Sequence, residues 1–435
     1  MKILVLSSVA WDNSNSHGST FSNFFEGMED VELANIYCQN EKPHNDLEMR
    51  YFQMTERSLI KNLLNRNYPT GREITAEKGE GSADSMTAGE RKLMTGAKKI
   101  RLRVFYWARE LLWRIGRVKS PELKEFIKSF DPDVLFMGMS STMYITRLAR
   151  WLIGFTGAPC VLFVGDDLYS LKRIDASPLF WIDRFIKRAG YRKLVKKADK
   201  LLMMTEMGKK EYDRAFGTEC GILTKSLDFS SETMPTYEKK EGPMRFVYTG
   251  NLYDGRWRSL AKLGRALQKL NDAGNDTELL IYSMSPLTKR MREAFIIPAV
   301  RFMGGVPSEM IPGIQSGADV LVHAESPRLR EKLRVRLSFS TKLVDYMHAG
   351  RCILAIGSNG LASIDHLRIN DAAVIADGAD EMFSAVKRLA ENRELVSEYA
   401  AKAWRCGLEN HDKSVVQARL RGLLEEALRE KRART

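Results

Sequence analysis

Short apolar runs alternate with stretches whose apolar residues recur every three to four positions, along almost the whole chain. In the first half, KILVLSSV (2–9), VELANIYC (31–38), DVLFMGM (133–139), PCVLFVG (159–165) and KLLMMT (200–205) are strand-length and end near Gly, Ser, Thr or Asp. The second half repeats the plan with RFVYTG (245–250), ELLIYS (278–283), AVRFMG (299–304), DVLVHAE (319–325), CILAIG (352–357) and AAVIAD (372–377). Continuous apolar strands between helical patterns predict parallel sheets covered on both faces. The segment 228–244, DFSSETMPTYEKKEGPM, is polar, carries two prolines and lacks periodicity, so it reads as a linker. The expected fold class is therefore α/β, with two doubly wound parallel-sheet domains facing a cleft. Residues 1–227 form the first domain, 245–412 the second, and 413–435 a helix able to dock back on the first. Ligands of such sheets bind beyond the carboxyl ends of the strands, which directs the search to strand-end residues.

Composition agrees with this division. A chain of 435 residues is long for one hydrophobic core, and 44% hydrophobic with 28% charged residues is a globular balance. Five cysteines are scattered without zinc-ligand spacing, as expected of thiols in a reducing, cytoplasmic setting. The opening MKILVLSSVAWDNSN has too short an apolar run for a secretory signal. The most membrane-like stretch, 143–165, is interrupted by Arg147, Arg150 and Pro159, so it reads as a helix and then a strand.

Charge changes the picture more. A net charge of +13 points to a polyanionic partner. Residues 91–119 hold ten basic side chains and one acidic one, Glu110, interleaved with Phe105, Tyr106, Trp107 and Trp113. This segment fits a solvated helix packed on its own domain. It also fits a helix on an anionic membrane at the inner face of the plasma membrane, with Ile100, Val104, Trp107 and Leu111 sharing a face. Each basic residue near such a surface is worth about 1 kcal/mol. Nucleic acid is not an expected partner, because no recognition motif accompanies the charge.

Candidate chemistry gathers in the second half. YTGNLYDGRWRSLAKLGRAL (248–267) places a turn at Gly250 and Asn251, with Arg256 and Arg258 ahead of a helix. Guanidinium groups at such a turn suit a diphosphate through bidentate, charge-assisted bonds; two solvated loop arginines fit the segment equally. The run ending ADVLVHAES closes a strand at His323 and Glu325, where a sugar-contacting group would sit. In SFSTKLVDYMHAGRC (338–352), Ser338, Ser340 and Thr341 open a helix, followed by Lys342. That helix start is either a simple cap or an anion site. Asp345, a turn further on, could accept both hydroxyls of a ribose.

In the first half, Asp166 and Asp167 end a strand. They read as a pair orienting or deprotonating an acceptor hydroxyl, or as a helix cap with a first-turn acid. Gly18 and Ser19 lie at a helix start expected to face the cleft. Asp131-Pro132-Asp133 looks like a metal-binding D-x-D, but it precedes a strand and its proline fixes a turn, so it reads as structural. No cluster has convincing metal-ligand spacing.

The succession Thr249-Gly250-Asn251, the arginines, VRFMGGVP, ADVLVHAES and KLVDYMHAG resembles the nucleotide-sugar-binding half of family-4 retaining glycosyltransferases of the GT-B fold (two Rossmann-like domains). The likeness spans about 245–357; in the first half it rests on the strand–helix rhythm and on FDPDVLFMG (130–138). That family has two glutamates eight positions apart, Phe-Gly between them and Ala-x-Gly after the second. Phe339-Ser340 matches the Phe-Gly, Asp345 the second glutamate, and His348-Ala349-Gly350 closes the pattern. The resemblance implies a nucleotide-diphosphate-sugar donor, with the ribose on Asp345. It places the diphosphate on the Ser340 and Thr341 N–H groups beside Arg256 or Arg258. It implies no cofactor and no metal, since arginines and helix N-termini can neutralise the leaving diphosphate. A saccharide or lipid-linked acceptor in cell-surface polysaccharide or glycolipid synthesis follows from the same likeness. The first glutamate is replaced by Leu337, and Glu325 is the candidate substitute. Two other readings stand beside this one: a non-enzymatic basic protein binding nucleic acid or a membrane assembly, and a sugar-nucleotide epimerase of the same fold.

Overall fold

A computed structural model describes residues 1–13, 16–75, 98–230, 233–236 and 241–434. The first unit opens with β1 (Lys2–Leu6), α1 (Ser16–Phe25), β2 (Glu32–Tyr37), β3 (Met49–Met54), α2 (Glu56–Leu64) and β4 (Gly71–Ile74). It continues with α3 (Lys98–Ile115), α4 (Pro121–Phe130), β5 (Val134–Gly138), α5 (Met143–Thr156) and β6 (Cys160–Val164). It ends with α6 (Pro178–Val195), β7 (Lys200–Met203), α7 (Glu206–Phe216) and β8 (Gly221–Ile222). The second unit begins β9 (Met244–Thr249), α8 (Arg256–Asn271), β10 (Thr277–Tyr282), α9 (Lys289–Ala294) and β11 (Val300–Gly304). Next come α10 (Ile311–Ser316), β12 (Val320–Ala324), α11 (Leu329–Val335), α12 (Lys342–His348) and β13 (Cys352–Ile356). The chain closes with α13 (Ala362–Ile369), β14 (Val374–Ala376), α14 (Ala379–Glu391), α15 (Arg393–His411) and α16 (Lys413–Arg434).

The first sheet runs β4-β3-β2-β1-β5-β6-β7-β8 and the second β11-β10-β9-β12-β13-β14. Every pairing is parallel except β3 with β4. This is the two-domain parallel α/β architecture that the apolar runs predict, and each of those runs supplies a strand. Strand β3 was hidden because its Arg50 and Gln53 break the apolar pattern. Arg50 pairs with Glu73 of β4 at 2.8 Å, and Gln53 donates to the carbonyls of Gln39 and Glu41.

Aromatic edges fix α1 on the first sheet. Phe24 meets Phe163 edge-on at 5.3 Å, and Phe25 meets Phe136 at the same distance. Asp131 takes a left-handed φ of 51° to end α4, and Asp133 accepts the Lys2 N–H at 2.7 Å. The D-x-D is thus a structural turn.

The chain crosses between the units twice, and the crossings are bonded to each other. The Leu227 N–H donates to the His411 carbonyl at 3.0 Å, and the Lys413 N–H returns to the Leu227 carbonyl at 2.9 Å. Asp412 accepts the N–H groups of Phe229 and Ser230. Beneath them His411 and His366 meet Nε2 to Nε2 at 3.1 Å; burial pushes His366 down to about 4 and His411 to about 3, so both stay neutral. Helix α16 then lies back on the first unit, with Gln417 on the Glu26 carbonyl and Lys200 on Glu430 at 2.7 Å.

The basic–aromatic segment forms α3 over its described part; residues 91–97 and the side chains of Ile100 and Val104 lie outside the described residues. Its inner face is Arg109, Glu110 and Trp113. Arg109 pairs with Glu56 at 2.6 Å, Glu110 caps α5 through the Met143 N–H, and Trp113 stacks on Tyr144 at 4.3 Å. Phe105, Tyr106, Trp107, Leu111 and Ile115 are left exposed. Among the described residues no helix is long and apolar enough to cross a membrane.

Gly407 of α15 carries the crossing: a Cβ there would stand 2.2 Å from the ring of Phe229, itself held between His348 and Trp404. Gly407→Ala is expected to lower unfolding stability by about 1–3 kcal/mol in urea titration, with Gly422→Ala, where open space surrounds the added methyl, as the harmless control.

Candidate functional site

The carboxyl ends of β9 and β12 build one corner. After Thr249 the chain turns at Gly250 with φ 141°, a conformation open to glycine, and a Cβ there would crowd Lys342 Nζ at 3.2 Å. The Tyr248 hydroxyl donates to the Asn251 carbonyl and secures the turn. Asp254 and Gly255, both left-handed, then aim Arg256 inward as the first residue of α8. Arg256 reaches Asn251 Oδ1 at 2.9 Å and Glu325 Oε2 at 3.4 Å. Glu325 is 4% exposed and also lies 3.4 Å from His323 Nε2. Lys342 enters from α12, its Nζ 3.3 Å from the Thr249 carbonyl and 4.0 Å above the Tyr248 ring.

Arg256 therefore pairs with the Glu325 carboxylate, and Lys342 lies close enough to feel its charge. Burial, with the Arg256 charge beside it, brings the Lys342 ammonium down to about 7, against the pull of Glu325. Burial alone would raise the Glu325 carboxyl, but the bond from His323 and the charges of Arg256 and Lys342 outweigh it and hold it at about 2. His323 is pushed below its ordinary value by burial and stays neutral. The corner thus carries excess positive charge with little water to screen it, a condition that an incoming anion relieves. Glu325, expected as a sugar-contacting or catalytic group, lies buried beside Arg256 and His323 rather than open to the cleft.

The other expected residues divide. Arg258 stacks its guanidinium 4.3 Å over the Trp257 ring, while Arg256 goes to Asn251 and Glu325. At the start of α12, the Ser340 N–H donates to Ser363 Oγ at 2.9 Å. That amide is occupied, contrary to the implied phosphate contact; among the described residues the Thr341 N–H has no partner. Asp345 is one-third exposed and takes the Lys225 ammonium on Oδ1 at 2.5 Å, which leaves Oδ2. Gly18 lies against the turn at Asp12, where a Cβ would stand 2.1 Å from the Asp12 carbonyl oxygen. Only a glycine permits that close approach, and Ser19 follows it in the first turn of α1.

Asp166 and Asp167 part company as well. Asp166 is exposed at the cleft and accepts the Ser338 hydroxyl. Asp167 is 0% exposed, bonded to Ser170, Arg184 and Arg336, so it cannot reach an acceptor hydroxyl; the paired-carboxylate reading fails for it. Arg336, just before α12, also grips Glu211 at 2.5 and 2.6 Å, and the Thr205 hydroxyl donates to the Leu337 carbonyl at 3.1 Å. Leu337 is buried in the core beneath the first sheet. Sequence reasoning missed Arg336, Ser363 and Lys225, since each acts across more than twenty positions and nothing local marks it.

Residues 243–392 match the family model described as glycosyl transferases group 1. The whole chain is similar in structure to Anabaena HepE in complex with UDP and glucose (11% identical, 98% of this chain on 100% of that one, TM-score 0.60). It is similar to sucrose-phosphate synthase from Thermosynechococcus elongatus (11%, 98% on 98%, 0.63). A third likeness is to the UDP-forming α,α-trehalose-phosphate synthase from Burkholderia vietnamiensis (10%, 98% on 99%, 0.60). Among curated proteins none matches the sequence. Likenesses at this level of identity show the two-domain GT-B fold. The second domain is the part that carries the glycosyl transferases group 1 match.

Arg336→Ala would leave Asp167 and Glu211 short of a buried partner. It is expected to cost about 3–5 kcal/mol in chemical unfolding, with Ser338→Ala, at the exposed rim, close to neutral.

Proposed function

We propose that the protein transfers a sugar, with retention of configuration, from a nucleotide-diphosphate donor to a hydroxyl of a saccharide or lipid-linked acceptor. Its role on this reading is cell-surface polysaccharide or glycolipid synthesis. The observation that carries the donor is the convergence of Arg256 and Lys342 at the Gly250 turn, with Glu325 against Arg256. Diphosphate oxygens would take bonds from Arg256, Lys342 and the Thr341 N–H, with Asn251 beside them. Asp345 would offer Oδ2 to the ribose while Lys225 holds Oδ1. As the sugar leaves, those cations stabilise the charge gathering on the diphosphate, so the reaction as proposed draws on no metal or cofactor. Asp166 stands across the cleft to orient the acceptor. The UDP and UDP-glucose complexes of HepE make uridine the first base to try. The exposed apolar side chains of α3, with Arg114, Arg117 and Lys119 near them, support an anionic membrane surface as the place of work. The non-enzymatic reading drew on Leu337, but burial gives that residue a packing role of its own.

A nucleotide diphosphate or its sugar is expected to raise the melting temperature, with about 2.7 kcal/mol added at 100 times its dissociation constant. Arg256→Ala and Lys342→Met should each remove most of that shift. If no nucleotide or nucleotide sugar moves the melting temperature, the proposal fails.

The lowered Lys342 value makes binding pH-dependent. Below about pH 7 the ammonium is already charged, whereas above it binding must take up a proton. Affinity for UDP should therefore fall roughly tenfold between pH 6.5 and 8.5. Calorimetry would find that fall absent in Lys342→Met.

A further inference from the structure

Helix α6 and the loop before it expose six large apolar side chains: Leu171, Ile174, Leu179, Ile182, Phe185 and Ile186. Within the helix their spacing, 179, 182, 185 and 186, keeps them on one side. The same side continues through exposed Ala189 into Arg192, Lys193, Lys196 and Lys197, all exposed. The inner side is committed elsewhere. Arg184 is buried on Asp167, Tyr191 donates to the Ser140 carbonyl, and Gly190 packs against Met143 of α5. Between 171 and 197 the chain carries nine basic residues and two acidic ones. A contiguous apolar patch of this kind on a folded chain marks a contact surface.

We infer that this face of α6 seats on an anionic lipid bilayer, its apolar half entering the headgroup region and its basic half pairing with lipid phosphates. Charge complementarity selects that occupant. A second copy of the chain would bring two strongly basic faces together, whereas an anionic bilayer satisfies the apolar and the basic halves at once. Position agrees. Asp175, between the loop residues and the helix, pairs with Arg330 of α11 at 3.1 Å, so the patch borders the cleft between the units. Helices α3 and α6 both pack on α5: Glu110 of α3 caps α5, and Met143 of α5 meets Gly190 of α6. The α3 surface proposed above therefore becomes one part of a broader face, and only that part rests on the earlier reading.

The test is co-sedimentation of the full chain with vesicles of phosphatidylcholine alone or mixed with phosphatidylglycerol. Binding is expected only to the anionic vesicles, weakening as salt is raised. The pair Phe185→Ser and Ile186→Ser should weaken it at least roughly tenfold. Reversal of charge at Lys193 and Lys197 should do likewise. Melting temperature, and its shift with UDP, should stay unchanged in all of these variants. A wild-type chain that ignores anionic vesicles overturns the inference, as does an α6 variant that binds like wild type. If a Phe105→Ser, Leu111→Ser pair alone abolishes binding, the α3 surface stands and the α6 inference falls. Self-association that vanishes in the α6 variants would assign the face to a second copy and overturn it too.

Discussion

Arg336 is nearly out of solvent, with Asp167 on one side of its guanidinium and Glu211 on the other. A charge in that position is tolerable only while both partners stay in place, because each would otherwise be buried without compensation. The two carboxylates belong to the first unit and the arginine to the second, so the pairing fixes how the domains face one another. Lys342 follows six positions later in the chain. The same contact therefore sets where α12 begins, and with it where Lys342 and Asp345 stand.

That clasp also accounts for the most visible departure from the family pattern. A glutamate at position 337 would have to point into the cleft to meet a donor sugar. Here the segment 336–338 is drawn against the first unit by Arg336, by the Leu337 carbonyl on Thr205 and by Ser338 on Asp166. An apolar residue suits that buried place, while Glu325 lies against Arg256 in the corner. The positive charge of the corner comes from Arg256 and Lys342 rather than from the amides at the start of α12. Ser363 has taken one of those amides.

The crossings at 227–230 and 411–413 are bonded backbone to backbone, and α16 straps the second unit to the first. Opening the cleft must therefore bend the chain at these crossings while breaking the Arg336 and Lys225 pairs. The basic and apolar surfaces of α3 and α6 lie on the first unit, and the loop before α6 reaches the second through Asp175 and Arg330.

Periodicity and strand-length apolar runs sufficed for the two parallel sheets, because a strand buried on both faces must be apolar throughout. The turn at Gly250 was legible for a similar reason, since its neighbours in the chain give it context. Strand β3 was not, because its polar residues are satisfied by partners more than ten positions away. Asp167 and Asp166, adjacent and chemically identical, ended in a sealed ion cluster and at an open rim. Arg256 and Arg258, two residues apart, ended against a carboxylate and against an indole. Such divergence depends on which groups from distant parts of the chain fill the space around each side chain. What the sequence determined alone was the architecture. Which of those residues face the cleft, and which hold the halves of the protein together, was decided only when Arg336, Lys225 and Ser363 arrived from elsewhere.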